Sequence, residues 1–80
     1  MIQTVVKRDG RVVGFNEQKI MGAIRKAMMH TDKGEDQQLV QQITDHVSFR
    51  GKTQMTVEAI QDMVEVELMK SKRKDVAQRY

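Results

Sequence analysis

Eighty residues suffice for one domain; the chain has no cysteine for a disulfide or thiolate ligand and only two histidines, His30 and His46. Hydrophobic residues make up 39%, charged residues 31%, the net charge is +3, and no apolar run nears the roughly 20 residues that span a bilayer. These values exclude a disulfide scaffold, a thiolate metal centre and a membrane span; they make a structural zinc site a poor expectation and fit a globular, cytoplasmic domain better than a disordered tail. The charges are segregated. Residues 1–30 hold six basic and two acidic side chains, residues 31–69 three basic and eight acidic, and residues 70–80 five basic and one acidic. If the two basic ends meet in space they create a local field for an anion; read singly, each run is also compatible with a solvated face.

The first element is the stretch Val5-Val6-Lys7-Arg8-Asp9-Gly10-Arg11-Val12-Val13. Asp-Gly between β-branched runs predicts a hairpin with a two-residue type I′ loop. That register sets Val6 opposite Val13, Lys7 opposite Val12 and Arg8 opposite Arg11. Like charges directly across a ladder repel, so the tip carries a conflict that a bound anion would relieve.

Asn16 predicts the N-cap of a first helix, with Glu17 at its positive end and Ile20, Ala23, Ile24, Ala27 and Met28 at helical spacing. The polar stretch 31–36 reads as a turn around Gly34. Leu39, Val40, Ile43 and Val47 mark a second helix that stops near Gly51. Residues 52–55 read as a third strand or a loop. Thr56 caps a third helix with the stripe Val57, Ile60, Val64 and Leu68, interrupted at Ser71 and its basic neighbours. Residues 75–80 read as the start of a fourth helix, with Val76 and Tyr80 on one face. The expected fold is α+β: a small β-hairpin or three-stranded sheet capping a four-helix bundle. Met21, Met28, Met55 and Met63 are expected as core filler.

Catalytic patterns are missing. Glu65 and Glu67 are two apart on a helix and diverge, Asp45 and His46 are adjacent and diverge, and there is neither a P-loop nor a G-x-G-x-x-G. The chain does not read as an enzyme by itself. What it offers is a cluster of cations, Lys7, Arg8 and Arg11, at a hairpin tip. Lys19 lies in the first turn of the helix that follows, and Ile20 and the hairpin stem make an apolar floor. Guanidinium forks and ammonium groups hold phosphate oxygens, and a helix N-terminus adds free amides. Such a pocket suits a purine nucleotide. A nucleic-acid interface would use the same charges, but a continuous basic stripe or a reading helix is lacking.

The segments V-V-K-R-D-G (5–10), F-N-E-Q-K-I (15–20), T-V-E-A-I-Q-D-M-V-E (56–65), L-M (68–69) and A-Q-R-Y (77–80) resemble the ATP-cone. This is the regulatory module at the N-terminus of many ribonucleotide reductases, found also in a zinc-ribbon repressor of reductase genes. The likeness extends over essentially the whole chain, and the tract V-E-V-E-L-M with its terminal A-x-x-Y is most similar to the anaerobic ribonucleoside-triphosphate reductase. The resemblance implies a single cone over residues 1–80 of a larger reductase chain. It implies ATP or dATP as allosteric effector, with Mg2+ as the nucleotide's companion ion. The implied partners are the parent's catalytic domain and, through changes of oligomeric state, further copies of the chain. Neither a membrane nor nucleic acid is expected as a partner. The start at Met1 without a zinc ribbon favours the reductase setting over the repressor, which is kept as an alternative beside a nucleic-acid or protein interaction module.

On this resemblance Lys7 and Arg8 lie near the phosphates, Asn16, Lys19 and Ile20 belong to the next binding motif, Val5 lines the adenine pocket, and Thr56 or Val57 contributes to the base end. Some members carry a glutamate in the second strand where this chain has Val13, which puts a sugar contact in doubt. Others draw basic contacts from beyond the position of Tyr80. Asn16 and Thr56 are also explained as helix caps alone, and Lys7 and Arg8 as exposed turn residues.

Overall fold

A computed structural model describes residues 1–80. In chain order it contains β1 (Thr4–Val6), β2 (Val12–Gly14), α1 (Glu17–Met29), α2 (Gln37–Arg50), β3 (Gln54–Thr56), α3 (Val57–Lys70) and α4 (Lys74–Arg79). The expected α+β class is what the chain adopts. The strands form one mixed sheet in the order β2-β1-β3, with β1 antiparallel to β2 and parallel to β3. The segment left open between strand and loop is therefore a strand. It pairs with β1, placing Met55 beside Val5.

The helices close a ring in which α1 packs on α2 and α4, and α3 packs on the same two. Ile24, Met28, Val40, Val64, Leu68 and Val76 are fully buried at its centre. The cap residues are those the sequence suggests. The Asn16 side chain accepts from the Gln18 amide at 3.0 Å, and Thr56 Oγ1 accepts from the Ala59 amide at 3.1 Å. Each satisfies a first-turn donor that has no partner within the helix. Met28 is in the core, and Met21, Met55 and Met63 pack at its edge. No helix is long and apolar enough to cross a membrane.

The N-terminus is tied in by backbone. The Ile2 amide donates to Ser48 O at 3.0 Å and the Gln3 amide to Thr53 O at 2.8 Å. Ile2, 3% exposed, lies against Gly51, where a Cβ would collide with its side chain and with the Met55 sulfur. Gly51 thus ends α2 and lets the first residues approach it closely.

The hairpin register differs by one residue from the expected one. Val5 pairs with Val13 and Val6 with Val12, and the Lys7 amide continues the ladder to Arg11 O at 2.8 Å. The loop is Arg8-Asp9-Gly10, closed by the Gly10 amide on Lys7 O at 2.9 Å. Within this loop only Gly10 has positive φ, at 90°. The turn is therefore a type I turn followed by a glycine bulge, not type I′. Asp9 explains the choice. Its carboxylate accepts the Arg11 amide at 3.0 Å and Arg11 Nε at 2.7 Å. This side-chain turn holds Asp9 itself out of the left-handed region.

The slip moves side chains to opposite faces. Val13 is now half-buried and Val12 is 56% exposed. The expected Arg8–Arg11 repulsion is absent, since Arg11 pairs with Asp9 and Arg8 with Glu58.

Arg73 was expected only as part of a basic interruption, yet it is 7% exposed. Its Nη2 donates to Thr31 Oγ1 at 2.9 Å and to Gly34 O at 2.8 Å, and its Nε to Asp75 Oδ1 at 3.2 Å. This one side chain fastens the start of α4 to the link between α1 and α2.

Candidate functional site

A cavity of about 190 Å³ opens where the sheet meets α1 and α3. Val5 and Val13 form its sheet wall, one directly across the ladder from the other. Ile20 and Ala23, one turn apart on α1, form the second wall, and Val57 and Ile60 on α3 the third. Phe15 borders it between β2 and α1, and Tyr80 borders it just past α4. The volume is below the roughly 300–1,000 Å³ usual for drug-sized ligands. It accepts a ring system, and a larger ligand must extend over the rim.

The rim is cationic. Lys7 and Lys19 border the cavity, and neither is among the side chains that form ion pairs. They reach it by different routes. Lys7 follows β1 on the same strand face as Val5, and Lys19 stands in the first turn of α1, which Asn16 fixes as its cap. Asn16 also borders the cavity; its oxygen is taken by the cap bond and its amide nitrogen has no protein acceptor. Gln61 supplies a second uncommitted amide. Burial pushes the Tyr80 phenol above 10.0, with the Glu65 charge acting the same way, so at neutral pH its hydroxyl is a neutral donor. Histidine, aspartate and glutamate side chains gather nowhere in groups of three able to ligate a metal.

Six of the nine site residues expected from sequence, Val5, Lys7, Asn16, Lys19, Ile20 and Val57, border this one cavity. Arg8, Arg11 and Thr56 do not. Arg8 Nε is 3.0 Å from Glu58 Oε1, Arg11 is held by Asp9, and Thr56 spends its hydroxyl on the α3 cap. The Arg11 contacts hold the Asp9 carboxyl below its ordinary 3.8, the backbone hydrogen bond foremost. Between Thr56 and Val57 as the base-end residue, only Val57 borders the cavity.

Phe15, Ala23, Ile60, Gln61 and Tyr80 were not in the expected site. Ala23 and Ile60 lay on the predicted apolar stripes, and Tyr80 on the same helical face as Val76. The signal was present, but periodicity alone does not separate a wall from a core.

A separate groove of about 680 Å³ between α2 and the α3–α4 turn shares no residue with the cavity. Only Leu39 and Ile43 in it are apolar, so it offers no seat for a base.

An apolar slot beneath a small sheet with two unpaired lysines at its mouth invites comparison with known proteins. Residues 3–80 match the ATP cone domain family. The chain belongs to the ATP-cone family. Over 74 residues, 90% of this chain and 10% of the relative, it is 47% identical to the vitamin B12-dependent ribonucleoside-diphosphate reductase of Thermoplasma acidophilum. Over 79 residues, 95% of this chain and 11% of the relative, it is 32% identical to the anaerobic ribonucleoside-triphosphate reductase of Haemophilus influenzae. The chain spans about a tenth of the length of these curated relatives. The expected tie to the anaerobic enzyme is not singled out, since the B12-dependent relative shares the higher identity with this ATP-cone.

Proposed function

We propose that this ATP-cone is an allosteric domain that binds ATP or dATP and controls the overall activity of a ribonucleotide reductase of which it forms a part. The observation that carries the reading is the pairing of an apolar slot with a cationic rim in one cavity. The adenine would enter between Val5, Ile20 and Val57, and the phosphates would leave the slot past Lys7 and Lys19. Nucleotide phosphates bring their own Mg2+; the rim offers no carboxylate to replace them as ligands. Arg8 and Arg11 are tethered to carboxylates at the hairpin tip and join the phosphates only by exchanging partners.

Regulation follows from differential binding. A nucleotide that joins the sheet to α1 and α3 favours whichever arrangement of cone and catalytic domain leaves the slot closed. The shift cannot exceed its difference in affinity between the two states. Family membership supports the reading, as do the relatives' names, both reductases.

The test is calorimetry on the 80-residue chain. Lys7→Ala with Lys19→Ala should weaken ATP binding roughly a hundredfold, because a charge-assisted contact contributes about 1.5–3 kcal/mol. Helical circular dichroism should be unchanged. Equal ATP affinity in the double variant would remove the proposal, as would preference of the wild type for an unrelated oligonucleotide over ATP.

A further inference from the structure

The basic C-terminal stretch contributes almost nothing to the nucleotide cavity, which takes only Tyr80 from it. Three of its five cations border the groove between α2 and the α3–α4 turn instead. Lys33 comes from the α1–α2 link, Lys70 from the last turn of α3, and Lys72 and Arg73 from the turn itself. None of the three lysines forms an ion pair. Each of the two acidic side chains at the groove has a neighbour of its own, Glu67 in His46, which borders the same groove. Glu67 Oε1 lies 2.9 Å from His46 Nδ1, and Asp36 caps α2 through the Leu39 amide at 3.1 Å.

Arg73 is the fixed member of the group. Its side chain is 9% exposed. Nε and Nη2 donate to Asp75, Thr31 and Gly34, while Nη1 has no protein acceptor. No buried side-chain nitrogen in the molecule lacks a partner. Nη1 is therefore not fully buried, and Arg73 borders the groove.

We propose that this groove is a binding site for a phosphate group, separate from the nucleotide cavity. A guanidinium already immobilised on its other nitrogens loses little freedom when it takes an oxyanion. Lys33, Lys70 and Lys72 border the same groove as mobile point charges. The lining contains no aromatic side chain and only Leu39 and Ile43 as apolar ones, so it selects the phosphate and not a base. The bound anion would sit on the residue that anchors α4, the helix that leads to Tyr80 at the nucleotide cavity.

Amide NMR of the 80-residue chain tests this in phosphate-free buffer, with inorganic phosphate as probe and sodium chloride at matched ionic strength as control. Saturable shifts are expected at Lys33, Gln38, Ser71, Lys72 and Arg73. Lys70→Ala with Lys72→Ala changes only exposed side chains and should weaken this binding roughly tenfold. Lys7→Ala with Lys19→Ala should leave it unchanged. A parallel titration with glycerol phosphate separates free phosphate from a terminal phosphate ester: saturation by either supports the site, and the tighter probe names its source. Shifts that chloride reproduces, shifts confined to the nucleotide cavity, or equal affinity in the Lys70/Lys72 variant would overturn the proposal.

Discussion

Arg8 Nε donates to Glu58 Oε1 at 3.0 Å, joining the hairpin tip to the first turn of α3 across fifty positions of sequence. The pair is the direct link from the cationic turn to the helix that forms one wall of the cavity. It also keeps one of the expected phosphate ligands occupied.

Replacing Glu58 with glutamine removes the competing charge. The two side chains are 75% and 53% exposed, so the unfolding free energy should change by less than about 1 kcal/mol. Under the proposed function, Arg8 then becomes free to reach a polyphosphate, and ATP affinity by calorimetry should rise several-fold. Unchanged or weaker affinity would show that Glu58 does not compete for Arg8.

Two glycines should respond in opposite directions to alanine. At Gly51 a Cβ meets Ile2 and Met55, and Gly51→Ala should destabilise by about 1–3 kcal/mol as an overpacked site. At Gly22, in the interior of α1, a Cβ meets nothing within 4 Å, and Gly22→Ala should stabilise by roughly 0.5–1 kcal/mol. Urea unfolding of the two variants checks both signs. Equal effects would mean that the contact between the N-terminal segment and α2 is not made in solution.

Acid should loosen the attachment of α4. The Arg73 hydrogen bond holds the Asp75 carboxyl below its ordinary 3.8. The folded state thus binds this proton less readily than the unfolded state, and stability rises with pH through this range. The contribution is fully present above 3.8 and is lost as pH falls through the lower folded value. Urea midpoints should be flat between neutrality and about pH 5 on this account and drop below about pH 4. Asp75→Asn should flatten part of that drop. An Asp75→Asn variant with the same acid limb as the wild type would show that Arg73 does not hold this carboxylate.

Some of this was legible in the chain because it depends on neighbours in sequence. Asn16 and Thr56 are short polar residues followed by apolar residues at helical spacing, and capping is decided within three or four positions. Ile20, Ile24, Val64 and Leu68 recur with the helix period, so the buried faces could be read directly. Val5, Lys7, Asn16, Lys19, Ile20 and Val57 could be proposed together because they fall on segments that resemble a known family, although nothing in their spacing shows that these segments meet.

The hairpin register, the place of β3 and the partners of the charges belong to the tertiary level. Asp-Gly admits both a type I′ turn and a type I turn with a glycine bulge. The observed one pairs Val5 with Val13 and so supplies a wall to the cavity, while Asp9 accepts from Arg11. Arg8 with Glu58, and Arg73 with Thr31 and Gly34, are contacts between residues 50, 42 and 39 positions apart. Helix periods and caps are local energies, and eighty letters carry them openly. Which cation meets which carboxylate, and which valine turns inward, is settled only when the distant segments pack and each buried polar group must find an acceptor.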